Sequence, residues 1–414
     1  MEAAYFRHAS GELVSTLCRR FGLQHLEAVE DAVQAALLAA VETWPRQGEP
    51  DDQMAWLYRV SHRALLDELR TGHRRRRILS EQWPESVPDT LDPRLAGELR
   101  DDLLRMLFVC CDPELPVASQ LAIALKTLCG FGVREIALRL FVAETAVYKR
   151  LSRARTQLRA RASKGFDAIA DLDARRPQVL RVIHQLFTEG HLSLRAPALR
   201  RDLCDEAIRL AHLLADHPAG AHPDTFALLA LMHLHSARLD ARMSASGELL
   251  LLEEQDRRRW DASQMQIGLA FLARSAEGDS FSRYHAEAGI AAEHGLAPSF
   301  EETRWDRIIA CYDQLERVAP SPLHRLHRAV AVAAVEGPEA GLAALEGDVP
   351  PTWLEGSYLW AAVLADLHRR CGHPRRARER HEAALRLAPS PAVRDLLARR
   401  FERADPDEDE ALVR

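Results

Sequence analysis

Apolar residues recur along this chain at helical spacing, and alternating β-branched runs are absent before residue 350. In the stretch 30–44, Val33, Leu37 and Val41 fall four apart, which predicts one face of an amphipathic helix. In 55–70, Trp56, Val60, Ala64 and Leu65 form the inward face of a second helix, and Tyr58, Arg59, His62 and Arg63 take its other faces. Residues 133–161 predict a short helix with Ile136, Ala137 and Leu140 as its apolar stripe, a three-residue turn, and a longer helix. In that longer helix Val147, Leu151, Ala154 and Leu158 recur at i, i+4, i+7 and i+11. Ala, Leu, Arg and Glu dominate throughout, so the expected fold class is all-α.

The pattern divides the chain into blocks. Residues 1–72 form one helical block, and 73–96, with the Pro- and acid-rich SEQWPESVPDTLDP, read as a flexible linker. A second helical block covers 97–165, and beyond a joint near 165–177 a third runs over 178–414. That last block has an internal repeat. Ala-Pro-Ser-Pro occurs at 319–322 and again at 388–391, an offset of 69 residues, close to two periods of about 34. Around the second copy, Ala361, Leu364, Gly372, Ala377, Ala384 and Pro389 have the small-residue spacing of a helical hairpin, which predicts degenerate tetratricopeptide-like repeats.

Charge changes the picture more by its placement than by its sum. The net charge is −6, yet Arg59, Arg63, Arg70 and the run at 74–77 face only Asp67 and Glu68, and from 144 to 164 seven cations face one acid. Two local basic patches in an acidic chain suit local contact with nucleic acid. A helix with an apolar back and a front of Tyr148, Lys149, Arg150 and Arg153, after a short helix and a tight turn, fits the major groove of DNA. Aromatic residues interleaved with arginines in 55–70 suit single-stranded DNA, where bases stack on rings and phosphates meet guanidinium groups.

The seven cysteines, with no C-x-x-C pair, fit reduced thiols; of the adjacent Cys110 and Cys111, one is expected to pack and the other to flank it. Charge interrupts every hydrophobic run short of the roughly 18–20 residues that a membrane span needs. The opening MEAAYFRHASGELV lacks the features of a signal peptide. These features lead to an expected cytoplasmic protein with no membrane contact.

The segments DAVQAALLAAVETW and AWLYRVSHRALLDELR, then the linker, then the helix-turn-helix, resemble in order the extracytoplasmic-function (group IV) sigma factors of RNA polymerase. The first block is similar to sigma region 2 and the second to region 4. The passages LRVIHQLFTEGHLS, RRDLCDEAIRLAHLL and LLLLEEQDRRRWD resemble the large helical extension of one subgroup. The resemblance implies core RNA polymerase and promoter DNA as partners, with contacts to the β′ clamp helices and the β flap. It places Asp31, Gln34 and Leu38 on the clamp helices. It assigns opening and recognition of the −10 element to the loop from Trp44 to Gln53 and to Trp56, Tyr58, Arg59, His62 and Arg63. It puts Glu144, Thr145, Tyr148, Lys149, Arg150 and Arg153 in the −35 major groove. The extension is expected to contact the sigma domains within the chain, and its repeats offer a surface for a protein or peptide ligand.

The chain departs from the family at several positions. Ala35 stands where many members carry an acid, His62-Arg63 where an Arg-Asn pair is common, and Phe141 where the turn usually has glycine. Thr188 and His191 stand in LFTEGH where the extension more often reads Leu-Phe-Asn-Glu-Gly-Tyr. Other chemistry finds little footing. The pairs His233/His235 and His324/His327 lack further ligands at metal spacing, Glu189 and His191 lack a nucleophile, and no phosphate-binding glycine loop is present. Neither catalysis, a metal nor a cofactor is expected. A helix-turn-helix regulator with a repeat-built sensor is the alternative, distinguished from a sigma factor by the helices before residue 70.

Overall fold

The computed structural model describes residues 3–76, 93–140, 142–161, 172–191, 200–346 and 350–402. Among them the regular elements are nineteen α-helices and short 3-10 turns, with one isolated antiparallel bridge between Met243 and Leu249. None of the helices is long and apolar enough to cross a membrane. Two compact units divide the chain, Met1–Ile183 and His184–Arg414.

The first unit opens with α1 (Ala3–Phe21), α2 (Leu26–Gln47) and α3 (Gln53–Arg76), which pack on one another. Leu13, Leu17, Val33, Leu57 and Leu65 are fully buried there, each worth about 1.5–3 kcal/mol of transfer free energy. Two boundaries differ from the sequence reading. α2 continues through Trp44 to Gln47 and ends on Gly48, whose amide donates to the Trp44 carbonyl at 3.0 Å, so the loop before α3 shrinks to 48–52. α3 runs on to Arg76, because arginine is a good helix former, and takes most of the basic run out of the linker. Linker residues 77–92 lie outside the described residues.

α4 (Pro93–Cys110), α5 (Val117–Thr127), α6 (Val133–Leu140) and α7 (Glu144–Arg161) follow, and α1 packs against both α4 and α5. The approach is close: a Cβ on Gly11 of α1 would come within 2.3 Å of the Leu128 carbonyl oxygen, so only glycine fits. Cys110 and Cys111 are both fully buried, which corrects the expectation that one of them flanks the core. Burial raises both thiols, and such thiols are unreactive.

α8 (Leu172–His191) contains the division between the units and carries Pro177 inside it, where the sequence suggested a joint. Its first half belongs to the first unit: Gln178 donates to Gln120 of α5 at 2.6 Å, and Arg175 pairs with Asp112 at 3.7 Å.

In the second unit come α9 (Arg201–Ala215), α10 (Pro223–Ser236), α11 (Ala262–Ser275), α12 (Arg283–Leu296), α13 (Trp305–Val318) and α14 (Pro322–Val335). Then follow α15 (Pro338–Ala343), α16 (Thr352–Glu355), α17 (Tyr358–Arg370), α18 (Pro374–Leu387) and α19 (Pro391–Glu402). Helices adjacent in sequence pack on one another: α13 on α12 and α14, α17 on α18. Between α10 and α11 the chain forms 3-10 turns at Leu239–Arg242, Leu252–Glu254 and Arg257–Arg259 and the Met243–Leu249 bridge, so LLLLEEQDRRRWD is not α-helical. The two Ala-Pro-Ser-Pro copies each join the end of one helix to the start of the next. Ala319 and Ala388 end α13 and α18, and Pro322 and Pro391 begin α14 and α19. Ser321 and Ser390 accept from the amides of Leu323 and Val393, each at 3.3 Å, as helix caps. Gly372, at φ +70, turns α17 into α18, and Ala361, Ala377 and Ala384 are buried.

Candidate nucleic-acid interface

α7 is held from behind. Val147, Leu151, Ala154 and Leu158 are all buried, as their spacing predicts. The turn is closed by Val142 donating to the Ala137 carbonyl at 3.1 Å and by Ala146 donating to Ala143 at 2.9 Å. At the start of α6, the Glu135 carboxylate accepts from the Gly132 amide at 2.8 Å, satisfying a donor that the helix leaves open. Phe141 lies outside the described residues. The front of α7 is open: Glu144, Thr145, Lys149 and Arg153 are exposed, Tyr148 is 58% exposed, and Arg150 is half-buried. The structure therefore brings the six residues to one helix, with Thr145, Tyr148, Lys149 and Arg153 away from its packed face and Glu144 and Arg150 at its flanks.

α2 presents a second open face. Its buried side runs through Val29, Val33, Ala36, Ala40 and Trp44. Val41, expected inward, is 52% exposed, and Leu37 is half-buried. Asp31 and Ala35 are exposed, Gln34 is half-buried and Leu38 is 64% exposed, so the candidate contacts Asp31 and Leu38 are open to solvent and Val41 is exposed one turn on from Leu38.

α3 corrects the sequence reading. Tyr58 and His62 are buried, not on the outer faces. They stack at 5.9 Å between ring centroids, His62 also meets the Phe21 ring of α1 at 5.4 Å, and Arg20 donates to the Tyr58 hydroxyl at 3.0 Å. Burial, with Arg20 nearby, holds His62 below the usual histidine range, so it is a neutral packed ring. Trp56 is half-buried, edge-on to Trp44 at 5.5 Å. Of the expected set, Arg59 and Arg63 are the exposed members.

Polar contacts join the α1–α3 helices to α4–α7. Glu30 of α2, whose side chain is 4% exposed, pairs with Arg155 of α7 and accepts from the Thr127 hydroxyl at 2.8 Å. Glu27 pairs with Arg159 at 2.8 Å and Arg155 at 3.4 Å. Arg19 pairs with buried Asp102 at 3.0 Å, where burial raises the Asp102 carboxyl more than the guanidinium lowers it. None of these residues stood out in the sequence, because a charge on an amphipathic helix gives no sign of a partner about a hundred positions away.

Among the described residues no group of three metal-ligating side chains is found. His233 contacts His212 at 3.1 Å and Gln264 at 2.6 Å, and His324 meets the Ala319 carbonyl at 2.9 Å. Burial raises the Glu189 carboxyl and holds His191 well below its usual range, and the Cys204 thiol, which a Cβ on the intervening Gly190 would approach to 2.8 Å, is itself raised by burial.

Residues 7–76 match sigma-70 region 2, and residues 105–158 match sigma-70 region 4. Residues 175–276 match a family of unknown function, DUF6596. An uncharacterized protein of Rhizobium meliloti is 36% identical over 389 residues, covering 92% of this chain and 90% of its own length.

The chain belongs to the sigma-70 family.

It is a sigma factor of the extracytoplasmic-function type with a C-terminal extension, and its two sigma regions bind core RNA polymerase and promoter DNA. Sigma factor families are not enzymes. No solved structure matches the chain.

Proposed function

We propose that this sigma factor directs initiation at its own set of promoters by a division of labour between 1–72 and 97–165, joined by a linker at 73–96, with 178–414 modulating the outcome. The observation that carries this reading is the pair of open helix faces in the first unit, one basic and one apolar. α7 enters the −35 major groove through Glu144, Thr145, Tyr148, Lys149, Arg150 and Arg153, the first of these near the electropositive end of its helix. α2 docks Asp31, Gln34 and Leu38 on the β′ clamp helices, and region 4 meets the β flap. Arg59 and Arg63, with the half-exposed edge of Trp56, take the −10 strand. Tyr58 and His62 act from beneath by fixing α3 against α1.

Adding the purified protein to core polymerase in a run-off assay on candidate promoters tests the proposal. Promoter-specific transcripts and a stable complex with core are expected. A DNA-bound protein that forms no complex with core would instead favour an operator-binding regulator. Cutting the chain after Ile183 tests modulation, because the first half of α8 then stays with its partners Gln120 and Asp112. A changed transcript yield is expected, and an unchanged yield would sink the regulatory part of the reading.

A further inference from the structure

The interior of the second unit holds more positive charge than it balances. α8 ends at His191, whose ring stacks on Phe187 and faces the ring of His235 in α10 at 4.6 Å between centroids. Arg242, in the 3-10 turn after α10, donates to the His191 carbonyl. Arg238 lies with Nη2 3.2 Å from His235 Nδ1. Its guanidinium and that of Arg257 lie 6.0 and 4.6 Å from the centroid of one Trp260 ring. Arg257 donates to the carbonyls of His294 and Ala297, both at 2.7 Å.

Among the described residues, none of these three guanidiniums forms an ion pair with a carboxylate. Asp240 pairs with Arg201 and Asp256 with Arg258, while Glu301 is the acid whose charge acts on Arg257, with no ion pair between them. The repulsion is felt: burial, together with Arg242 and Arg257, pushes Arg238 down to about 10, still protonated at neutral pH. The histidines add donors without adding charge, since burial holds His191 and His235 well below their usual range and His294 at about 4.

Several buried polar atoms of this cluster have no hydrogen-bond partner: His191 Nδ1, Arg257 Nη2, Trp260 Nε1 and His294 Nδ1. His191 is itself 4% exposed. The guanidinium and indole atoms are donors, and each imidazole nitrogen can be one. Buried donors without acceptors and buried charges without counter-charges are rare in folded proteins, and an unseen ion is a standard reason for them. A metal ion would be repelled by the arginines. An oxyanion satisfies both deficits at once, since guanidinium groups grip carboxylate and phosphoryl oxygens in paired, charge-assisted bonds.

We propose that this cluster is an anion site, holding the phosphoryl or carboxylate group of a small molecule between Arg238, Arg242 and Arg257, with Trp260 and neutral His191 and His294 as further donors. The site is independent of how the sigma regions use the promoter.

Thermal melting of the full chain in inorganic phosphate, in acetate, and in chloride of equal ionic strength tests it. A saturable rise in melting temperature with phosphate or acetate, absent in chloride, is expected, because a ligand that binds only the folded state stabilises it. The anion that acts at the lower concentration identifies which oxyanion the site prefers. Arg238→Gln should weaken the response by about tenfold or more, the loss expected for one charge-assisted hydrogen bond. The exposed Arg258→Gln should leave it intact. Should Arg238→Gln fail to fold, Arg257→Lys, which keeps the charge but loses the fork, is judged on the same criterion. Equal shifts in all three salts, or a variant that responds like the parent, would overturn the proposal.

Discussion

Glu30 carries a carboxylate into the interior of the first unit, where Arg155 and the Thr127 hydroxyl hold it. Removing one partner of such a pair leaves the other buried and unpaired, a loss of about 3–5 kcal/mol. Urea unfolding of Glu30→Ala should show a destabilisation of that order, whereas Arg70→Ala, whose ion pair with Asp67 is exposed, should stay within about 1 kcal/mol of the parent. Buried histidines set the acid response. His62, His191, His235, His294 and His327 all lie below their usual value through burial, His294 and His327 at about 4. A histidine whose folded value is depressed binds its proton more readily when unfolded. The stability it contributes is therefore present above about 6.5 and lost as pH falls toward about 4. Melting temperature followed between pH 7 and 4.5 should fall steadily; a flat profile would contradict neutral burial of these rings.

At the scale of the element, α2 and α7 make separable predictions. Leu38→Asp alters a side chain 64% exposed to solvent, so folding should change by no more than about 0.5 kcal/mol. Affinity for core polymerase, measured by fluorescence anisotropy, should drop by about tenfold or more, as for loss of an apolar anchor. Lys149→Ala and Arg153→Ala should each weaken promoter binding and lower the slope of log affinity against log salt by about 0.9 if the lost contact is a phosphate. A loss of sequence preference with an unchanged slope would assign that residue to a base edge instead. α7 was readable from the sequence because its four inward positions are small or aliphatic and keep strict spacing. α3 was read less well, since tyrosine and histidine have an apolar body and a polar tip, and only the approach of Phe21 and Arg20 from α1 decides which part counts. Val41 on α2 misled for the opposite reason: the small residues Ala36 and Ala40 form the packed side and leave the larger valine outside.

At the scale of the whole molecule, the all-α class could be read directly, and the serine and proline of both Ala-Pro-Ser-Pro copies mark helix starts, as that motif suggests. The cation cluster of the second unit could not, as its arginines and histidines are scattered from 191 to 294 and meet only through irregular 3-10 turns. The tie between α2 and α7 was equally hidden, and it bears on the proposed reading of two promoter elements. Elements at −35 and −10 lie roughly 25 base pairs apart, on the order of 85 Å of duplex at 3.4 Å per pair. Two readers held together through Glu30 and Arg155 must let go of each other to reach both. On the proposed reading the free chain divides its time between a latched and an unlatched form, and only the unlatched form serves both elements at once. If core engages only that form and its fraction is about one in a hundred, the apparent affinity for core is about a hundredfold weaker than the contact surfaces alone provide. Loosening the outer pair with Arg159→Ala should then tighten the association with core, an outcome opposite to that of ordinary interface damage.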